Sequence, residues 1–345
     1  MPQVSVVIPT NRPAAVLEPG LWALAAQQFD LSQLEVVVVY NGPEPGPSWS
    51  PAEWPFELTV IRSAAGNVGA ARNAGFARAR GEWLLLLNDD VVAEPGLIAA
   101  HLAAHAQLGR PAMVLGRTDW QRYANETVFD RMIQTTSMIF FYDQMRPESW
   151  YDFRHAWTLN LSLPRHFTER VQFDENLKPV NFDDLEWAFR LQHGEDLRVW
   201  YTPAPRATHH HRYTFEQYLD REHALGRMAV LLWRCNPACY QAIYGTPLDQ
   251  DEVDYCHQFV THESRREPQI RQTLDAIIAR RPDELSTDPA VQNEMIQALY
   301  LAHLPLKRLA FRRGVLAAVW ENVARPTPAT NREAATARPT GSQTA

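Results

Sequence analysis

Four clusters in this sequence have the residue types and spacing to do chemistry. Asn88-Asp89-Asp90 follows the apolar run Trp83 to Leu87, so two adjacent carboxylates stand at the end of a buried strand. They repel each other unless a cation or hydrogen bonds compensate. A divalent ion on a diphosphate supplies that cation, because Mg²⁺ and Mn²⁺ prefer oxygen ligands. An Asx-turn or helix N-cap at the strand exit uses the same residue types. Asp183-Asp184-Leu185-Glu186 comes shortly before Arg190. On a helix, Glu186 and Arg190 share one face, and Asp183 and Asp184 fall at the start, where carboxylates complement the dipole. This is either a well-capped helix or a general base held at a pocket edge. His209-His210-His211 follows Pro203 and Pro205. Imidazole is a common transition-metal ligand; surface histidines on a loop are the alternative. Gly66-Asn67-Val68-Gly69-Ala70-Ala71-Arg72-Asn73 places glycines at a helix start, where backbone N–H groups approach an anion. Arg72 there either contacts a phosphate or caps the sheet edge.

The elements that must position these clusters alternate. Val4 to Ile8 is a β-branched run stopped by Pro9, as a strand buried on both faces requires. Leu17, Leu21 and Leu24 recur at helical spacing. Glu35 to Val39 is a second buried strand, closed by Asn41-Gly42-Pro43, and a proline-rich loop runs from Pro43 to Pro55. Leu58 to Ile61 is a third strand, Val68 to Ala79 a helix, and Trp83 to Leu87 a fourth strand. Pro95 opens another helix, and Met113 to Gly116 is a fifth strand. Such alternation predicts an α/β fold with a mostly parallel sheet flanked by helices. Ligands bind outside the carboxyl ends of such strands. The turns Pro9-Thr10-Asn11, Tyr40-Asn41-Gly42 and Asn88-Asp89-Asp90 are thereby brought toward one edge. Beyond Arg117 the chain is rich in aromatics, Trp120 to Trp157. A helix is predicted over 184–193 and a short strand over 198–201.

Helical patterns dominate from Thr214 to about Val323. The expected division is a catalytic domain over 1–213, a helical C-terminal region over 214–324 and a flexible Pro/Thr/Ala-rich tail over 325–345. Lys307, Arg308, Arg312 and Arg313 lie close to Leu306, Leu309, Phe311 and Val315. That pattern suits peripheral contact with an anionic membrane, or a helix packed on the catalytic domain with a solvated face.

A net charge of −7 over 345 residues argues against a nucleic acid partner, since phosphate backbones need clustered Lys and Arg. Three cysteines do not make a disulfide framework. The N-terminus lacks the basic and apolar regions of a signal peptide, and no apolar run reaches the ~18 residues of a membrane span. The expected location is cytoplasmic. A nicotinamide-binding fold needs G-x-G-x-x-G after the first strand, and Pro9-Thr10-Asn11-Arg12 has no glycine.

In their order, these pieces resemble the family 2 glycosyltransferases with the GT-A type, Rossmann-like fold. The matching segments are VSVVIPTNRP, EVVVVYNGP, NVGAARNAGFARARGEWLLLLNDD, NLSLPRHF, FDENLKPVNFDDLEWAFRL and YTPAPRATHHH, covering roughly residues 4–211. The resemblance implies a nucleoside diphosphate sugar as donor, a carbohydrate or other hydroxyl as acceptor, and Mn²⁺ or Mg²⁺ as cofactor. It places Asn88, Asp89 and Asp90 at the acidic motif, with Asp90 as metal ligand. Pro9, Thr10, Asn11, Tyr40 and Asn41 fall where the nucleoside is held, and Arg72 and Asn73 where the motif flanks the nucleotide. Asp184 becomes the catalytic base of an inverting displacement. His209, or failing that His211, completes the metal and diphosphate site. Three positions depart from the pattern. Tyr40 stands where an Asp commonly contacts the base, Asn88 replaces the first Asp, and Asp183 replaces a Glu. A nucleotidyltransferase, or a non-catalytic protein that kept the fold and binds nucleotide sugars, would share most of these features.

Overall fold

The computed structural model describes residues 1–43, 49–63, 67–177 and 182–323. Positions 44–48 of the proline-rich loop, Gly66 and the expected tail over 325–345 lie outside them.

The first elements are β1 (Val4–Thr10), α1 (Ala14–Ala25), β2 (Leu34–Tyr40), β3 (Glu57–Arg62), α2 (Val68–Arg78) and β4 (Trp83–Leu87). Every residue of β1 and β2 is buried, as Val- and Ile-rich strands are in a sheet covered on both faces. β1 is parallel to β2 and β4, and β2 to β3. The order β3-β2-β1-β4 therefore runs outward from β1 and then returns to its other side. That reversal is a topological switch point, and the crevice at the carboxyl ends of β1 and β4 is where open α/β sheets hold ligands. α2 approaches β1 so closely that a Cβ at Gly75 would collide with the Val7 side chain.

Next come β5 (Val91–Ala93), α3 (Leu97–Leu108), β6 (Met113–Trp120), α4 (Val128–Thr135), β7 (Ser149–Tyr151), β8 (Asn160–Pro164), α5 (His166–Arg170), α6 (Asp183–Glu195) and β9 (Val199–His209). α3 starts at Leu97 behind Gly96, two residues after the expected Pro95. β8 inserts antiparallel between β4 and β6. β6 is parallel to β9, while β5 and β7 pair antiparallel with β9. The sheet is thus parallel through four strands and mixed beyond them. Antiparallel pairing needs no long crossover, which suits the short α4 and the 3₁₀ turns that lie between β6 and β8.

β9 does not stop at Tyr201 but continues to His209. Its two prolines are tolerated because the neighbours leave them unpaired. β7 reaches only to Tyr201, β5 begins opposite Ala207, and the β6 ladder shifts register between Leu115 and Arg117. Proline, which has no donor, belongs in such a gap.

The remaining helices are α7 (Phe215–Cys235), α8 (Pro237–Tyr244), α9 (Gln250–Glu263), α10 (Glu267–Ile278) and α11 (Pro289–Val323). Among the described residues they share both of their main buried clusters with the 1–213 region. Val230, Leu232, Tyr240 and Val315 belong to the buried cluster that contains Leu86, Leu161 and Trp187. A second cluster joins Phe129 and Met132 of α4 to Tyr218, Leu274, Ile296 and Leu306. The basic stretch of α11 is mostly used within the protein. Arg312 lies over the Tyr255 and Phe259 rings, 5.0 and 4.4 Å from their centroids. Arg313 donates to Ser264 at 2.9 Å and Glu267 at 2.7 Å. Lys307 donates to the Met138 carbonyl at 3.3 Å, and Arg308 is exposed. No helix among the described residues is long and apolar enough to cross a membrane.

Candidate active site

The site forms where β1 and β4 end. The Thr10 hydroxyl donates to Asp89 Oδ2 at 2.6 Å. Arg12, in the turn beyond β1, donates from Nε to the same oxygen at 2.9 Å and from Nη2 to Asp89 Oδ1. The same Nη2 lies 2.9 Å from Asp90 Oδ2. Hydrogen bonding to Asp89 outweighs burial and keeps the Arg12 guanidinium firmly charged. Part of the compensation that two adjacent carboxylates demand is therefore protein-borne. No sequence motif singled out Arg12; its signal was its place in the turn that the topology brings against Asn88-Asp89-Asp90.

Asp90 also faces two histidines. The antiparallel β5–β9 ladder sets Val91 opposite His209, and the His210 N–H donates to the Asp90 carbonyl at 2.7 Å. His209 Nε2 comes within 3.0 Å of Asp90 Oδ1, and His211 Nδ1 within 3.3 Å of Oδ2. Burial alone would push the Asp90 carboxyl up, but His209, His211 and Arg12 outweigh it and hold it well below the usual carboxylate range. Despite its proximity to His209, Asp90 Oδ1 is buried without a hydrogen-bond partner, as is His209 Nδ1. Buried polar atoms are rarely left so. One ligand atom from each of Asp90, His209 and His211 lies within 4.8 Å of the others. The carboxylate and imidazoles fit a divalent cation placed between them.

The second acidic pair begins α6. Asp183 is buried and ion-paired with Arg72 Nη1, and Arg72 Nη2 donates to Thr158 Oγ1 at 2.7 Å. Arg72 thus ties α2 to the start of α6. Asp184 is half-buried, and its Oδ1 accepts from the Leu185 N–H at 2.9 Å. Its carboxyl is pushed up to about 7 by burial first and by the Asp183 charge second, with Arg72 acting against both. Glu186 pairs with Arg190 at 2.7 Å, as the spacing predicted, and also accepts from Asn236 at 3.0 Å. It fastens α6 to α8 and its role is structural.

A cleft of about 520 Å³ joins the two acidic groups: Asp90, His209 and His211 line it together with Asp184. Pro9, Thr10, Asn11, Asn41, Arg72, Asn88 and Asp89 line it as well. Tyr40 and Asn73, expected at the nucleotide, are engaged elsewhere. The Tyr40 hydroxyl donates to the Pro43 carbonyl at 2.6 Å. The Asn73 amide donates to the Phe173 carbonyl and to Glu175, both at 3.0 Å, and accepts from the Phe173 N–H at 2.8 Å. Asn67 caps α2 through the Ala70 N–H at 2.8 Å and holds the Glu175 carbonyl at 2.8 Å. These two asparagines hold the 173–175 segment against α2. Of the aromatics between Trp120 and Trp157, Trp120, Phe140 and Trp157 wall the cleft, and Trp120 lies 4.6 Å from the His209 ring. Phe129, Tyr142 and Phe153 went to the cores instead. Thr158 and Arg221 also line the cleft; no motif pointed to them.

Comparison with known proteins gives this geometry a context. Residues 5–161 match the family described as Glycosyl transferase family 2. Over 246 residues the chain is 30% identical to validoxylamine A glucosyltransferase of Streptomyces hygroscopicus subsp. jinggangensis, covering 61% of this chain and 57% of that protein. It is 32% identical over 107 residues to the uncharacterized glycosyltransferase YfnE of Bacillus subtilis, covering 30% of this chain and 27% of that one. The chain thus spans little more than half the length of the first relative and less of the second. Among solved structures, a mannosyltransferase of Pyrobaculum calidifontis in complex with GDP-Man and Mn²⁺ shares the fold. The match has a TM-score of 0.51 at 17% identity and covers 94% of this chain and 88% of that one.

Proposed function

We propose, from the match of residues 5–161 to glycosyl transferase family 2, that the chain moves a hexosyl group from a nucleoside diphosphate sugar to an acceptor hydroxyl, with inversion at the anomeric carbon. One observation carries this reading. The Asp90–His209–His211 cluster and the proton-avid Asp184 line a single cleft at the switch point of the sheet.

The ends of β1 and β2, with Pro9, Thr10, Asn11 and Asn41, form the nucleoside end of the cleft. Asp90, His209 and His211 would hold a divalent ion, which when bound neutralises charge on the departing diphosphate. Arg12 is bound chiefly to Asp89, and Asp90, which faces the two histidines, is the carboxylate ligand. Asp184 takes the proton from the acceptor hydroxyl as its oxygen bonds to the anomeric carbon. The bond from that carbon to the diphosphate oxygen breaks, and its electron pair leaves with the diphosphate. A base with a proton affinity near neutral is matched to this task. Arg72 holds Asp183 beside it through an ion pair. Trp120, Phe140 and Trp157 offer ring faces to a sugar.

Labelled nucleoside diphosphate hexoses, incubated with the full chain and Mn²⁺, test the reading. Release of a nucleoside diphosphate supports it. Release of pyrophosphate makes the protein a nucleotidyltransferase, and metal-dependent nucleotide binding without turnover makes it a binding protein.

A further inference from the structure

A second cavity, about 710 Å³, lies between the catalytic cleft and the C-terminal helices. Its walls come from the 138–141 stretch, the start of α6, and α7, α8, α9 and α11. Asp184, Ile139, Phe140, Trp157 and Arg221 line both this chamber and the cleft. The two spaces therefore meet at the carboxylate assigned to proton abstraction. A molecule in the chamber presents its near end to Asp184 from a space that Asp90 and the histidines do not line.

The chamber's chemistry is uneven. Leu225, Ile243, Leu248, Phe311 and Val315 give it an apolar body, and Tyr244 brings its ring within 4.6 Å of Tyr240 and 5.8 Å of Phe311. Five basic side chains line it, Arg154, Arg221, Lys307, Arg308 and Arg312, against the acids Asp184, Glu222 and Glu252. Two of the five are already paired: Arg154 with Asp152 at 2.6 Å, and Arg221 with Glu222 at 2.9 Å. The other three sit on one stretch of α11. Lys307 donates to a backbone carbonyl at 3.3 Å, and Arg312 rests on two aromatic rings with its Nε buried and without a hydrogen-bond partner. Arg308 is exposed at the chamber's edge.

Resting on the glycosyl-transfer reading, we infer that this chamber is the acceptor site and that it takes a small soluble acceptor with three parts: a hydroxyl directed at Asp184, an apolar or ring-shaped body, and one anionic group, carboxylate or phosphate, held by Arg308 and Arg312. Its volume is that of an ordinary small-molecule site. The excess of unpaired cations on α11 is the complement of the anion. In the transfer step the acceptor oxygen gains the glycosyl bond, its proton passes to Asp184, and the donor's diphosphate leaves with the electron pair.

Calorimetry on the full chain tests this with two matched probes, 4-(hydroxymethyl)benzoate and its neutral twin 1,4-benzenedimethanol. The benzoate is expected to bind about 10-fold tighter, the scale of one charge-assisted contact. The double variant R308Q/R312Q should reduce it to the level of the neutral probe. R308Q alone, at an exposed position that cannot unfold the core, should lose part of the preference. UDP or GDP binding with Mn²⁺ should be the same in all three proteins. Equal binding of the two probes, or a preference that survives the double variant, overturns the assignment. So does co-sedimentation with phosphatidylglycerol vesicles, lost in the double variant, when the benzoate does not bind: those cations would then serve a lipid surface. Benzoate binding in a protein that binds no nucleoside diphosphate would remove the donor reading and leave the chamber site standing.

Discussion

Asp184 is the residue on which chemistry and stability pull in opposite directions. Its carboxyl, pushed up to about 7 from 3.8, binds a proton more tightly in the folded chain than in the unfolded one. Such a group favours folding fully below the unfolded value, and that contribution is lost as pH rises through the folded value. Asp184→Asn should therefore melt close to wild type at pH 4 and above it at pH 8, read by calorimetry without ligand. The same variant should lose ~10²–10⁴-fold in transfer while still binding nucleotide. In wild type, kcat/KM should rise with pH along a limb near 7, because only the ionised carboxylate accepts a proton; a flat profile would remove Asp184 from the role. His209→Ala should weaken Mn²⁺ binding by at least ~10-fold, measured as free Mn²⁺ by electron paramagnetic resonance, since even indirect supports of a metal site cost that much. Unchanged binding would leave the unpaired atoms of Asp90 and His209 without a metal to explain them. The acidic pairs and the histidine triplet were legible because adjacent like charges and clustered imidazoles are conspicuous on any background. Arg12 was not, because a single arginine in a turn gains meaning only once the topology sets it against Asp89.

Among the elements, those dominated by runs of large apolar residues were readable, and those that are short or interrupted by polar residues and prolines were not. β4 is an unbroken apolar run, β1 and β2 carry at least three consecutive apolar residues beyond Ser5 and Glu35, and each was predicted close to its observed bounds. β8 was missed because Asn160 and Ser162 are buried in it and bonded to helix α3. His101 reaches Asn160 and Ser162, and His105 reaches Ser162, all at 2.8 Å. The stretch does alternate polar and apolar from Asn160 to Leu163, but over only four residues, the least that a period-2 signature can rest on. β9 was cut short by its prolines, which broke the pattern without ending the strand, and with it went the pairing that delivers His209. The α7–α11 crossing is a further case. A Cβ on Gly226 would strike the Phe311 carbonyl, and one on Gly314 the His223 carbonyl, so the two backbones touch through a reciprocal pair of glycines. Gly314→Ala should destabilise the protein by about 1–3 kcal/mol. Both helices wall the apolar chamber, so the variant should raise the acceptor KM more than the donor KM. A thermal melt unchanged from wild type would mean that the crossing relaxes without cost.

At the scale of the whole molecule, the sequence suggested a catalytic unit over 1–213 followed by a helical region, and the packing gives a specific reason to expect that the first cannot stand alone. Val230, Leu232, Tyr240 and Val315 lie in the same buried cluster as sheet residues, and Tyr218, Leu274 and Leu306 bury the apolar face of α4. Removing 214–323 would expose both clusters to water, at roughly 25 cal/mol for each Å² of apolar surface uncovered. Periodicity could not reveal this, because an amphipathic helix records that it has a buried face and not which element covers it. The Glu186–Asn236 contact and the Lys307 bond to Met138 cross the same boundary, so polar as well as apolar partners would be lost. A fragment ending at residue 213 should therefore keep its far-ultraviolet circular dichroism but lose its near-ultraviolet signal and bind an apolar dye, the behaviour of a chain whose side chains no longer pack. The same fragment should bind nucleoside diphosphate weakly, since Asp184 and the start of α6 rest against the missing helices at the chamber wall. A fragment that unfolds cooperatively within a few degrees of the full chain, with its nucleotide affinity intact, would show that the sheet region is a complete domain and that the C-terminal helices serve only the acceptor.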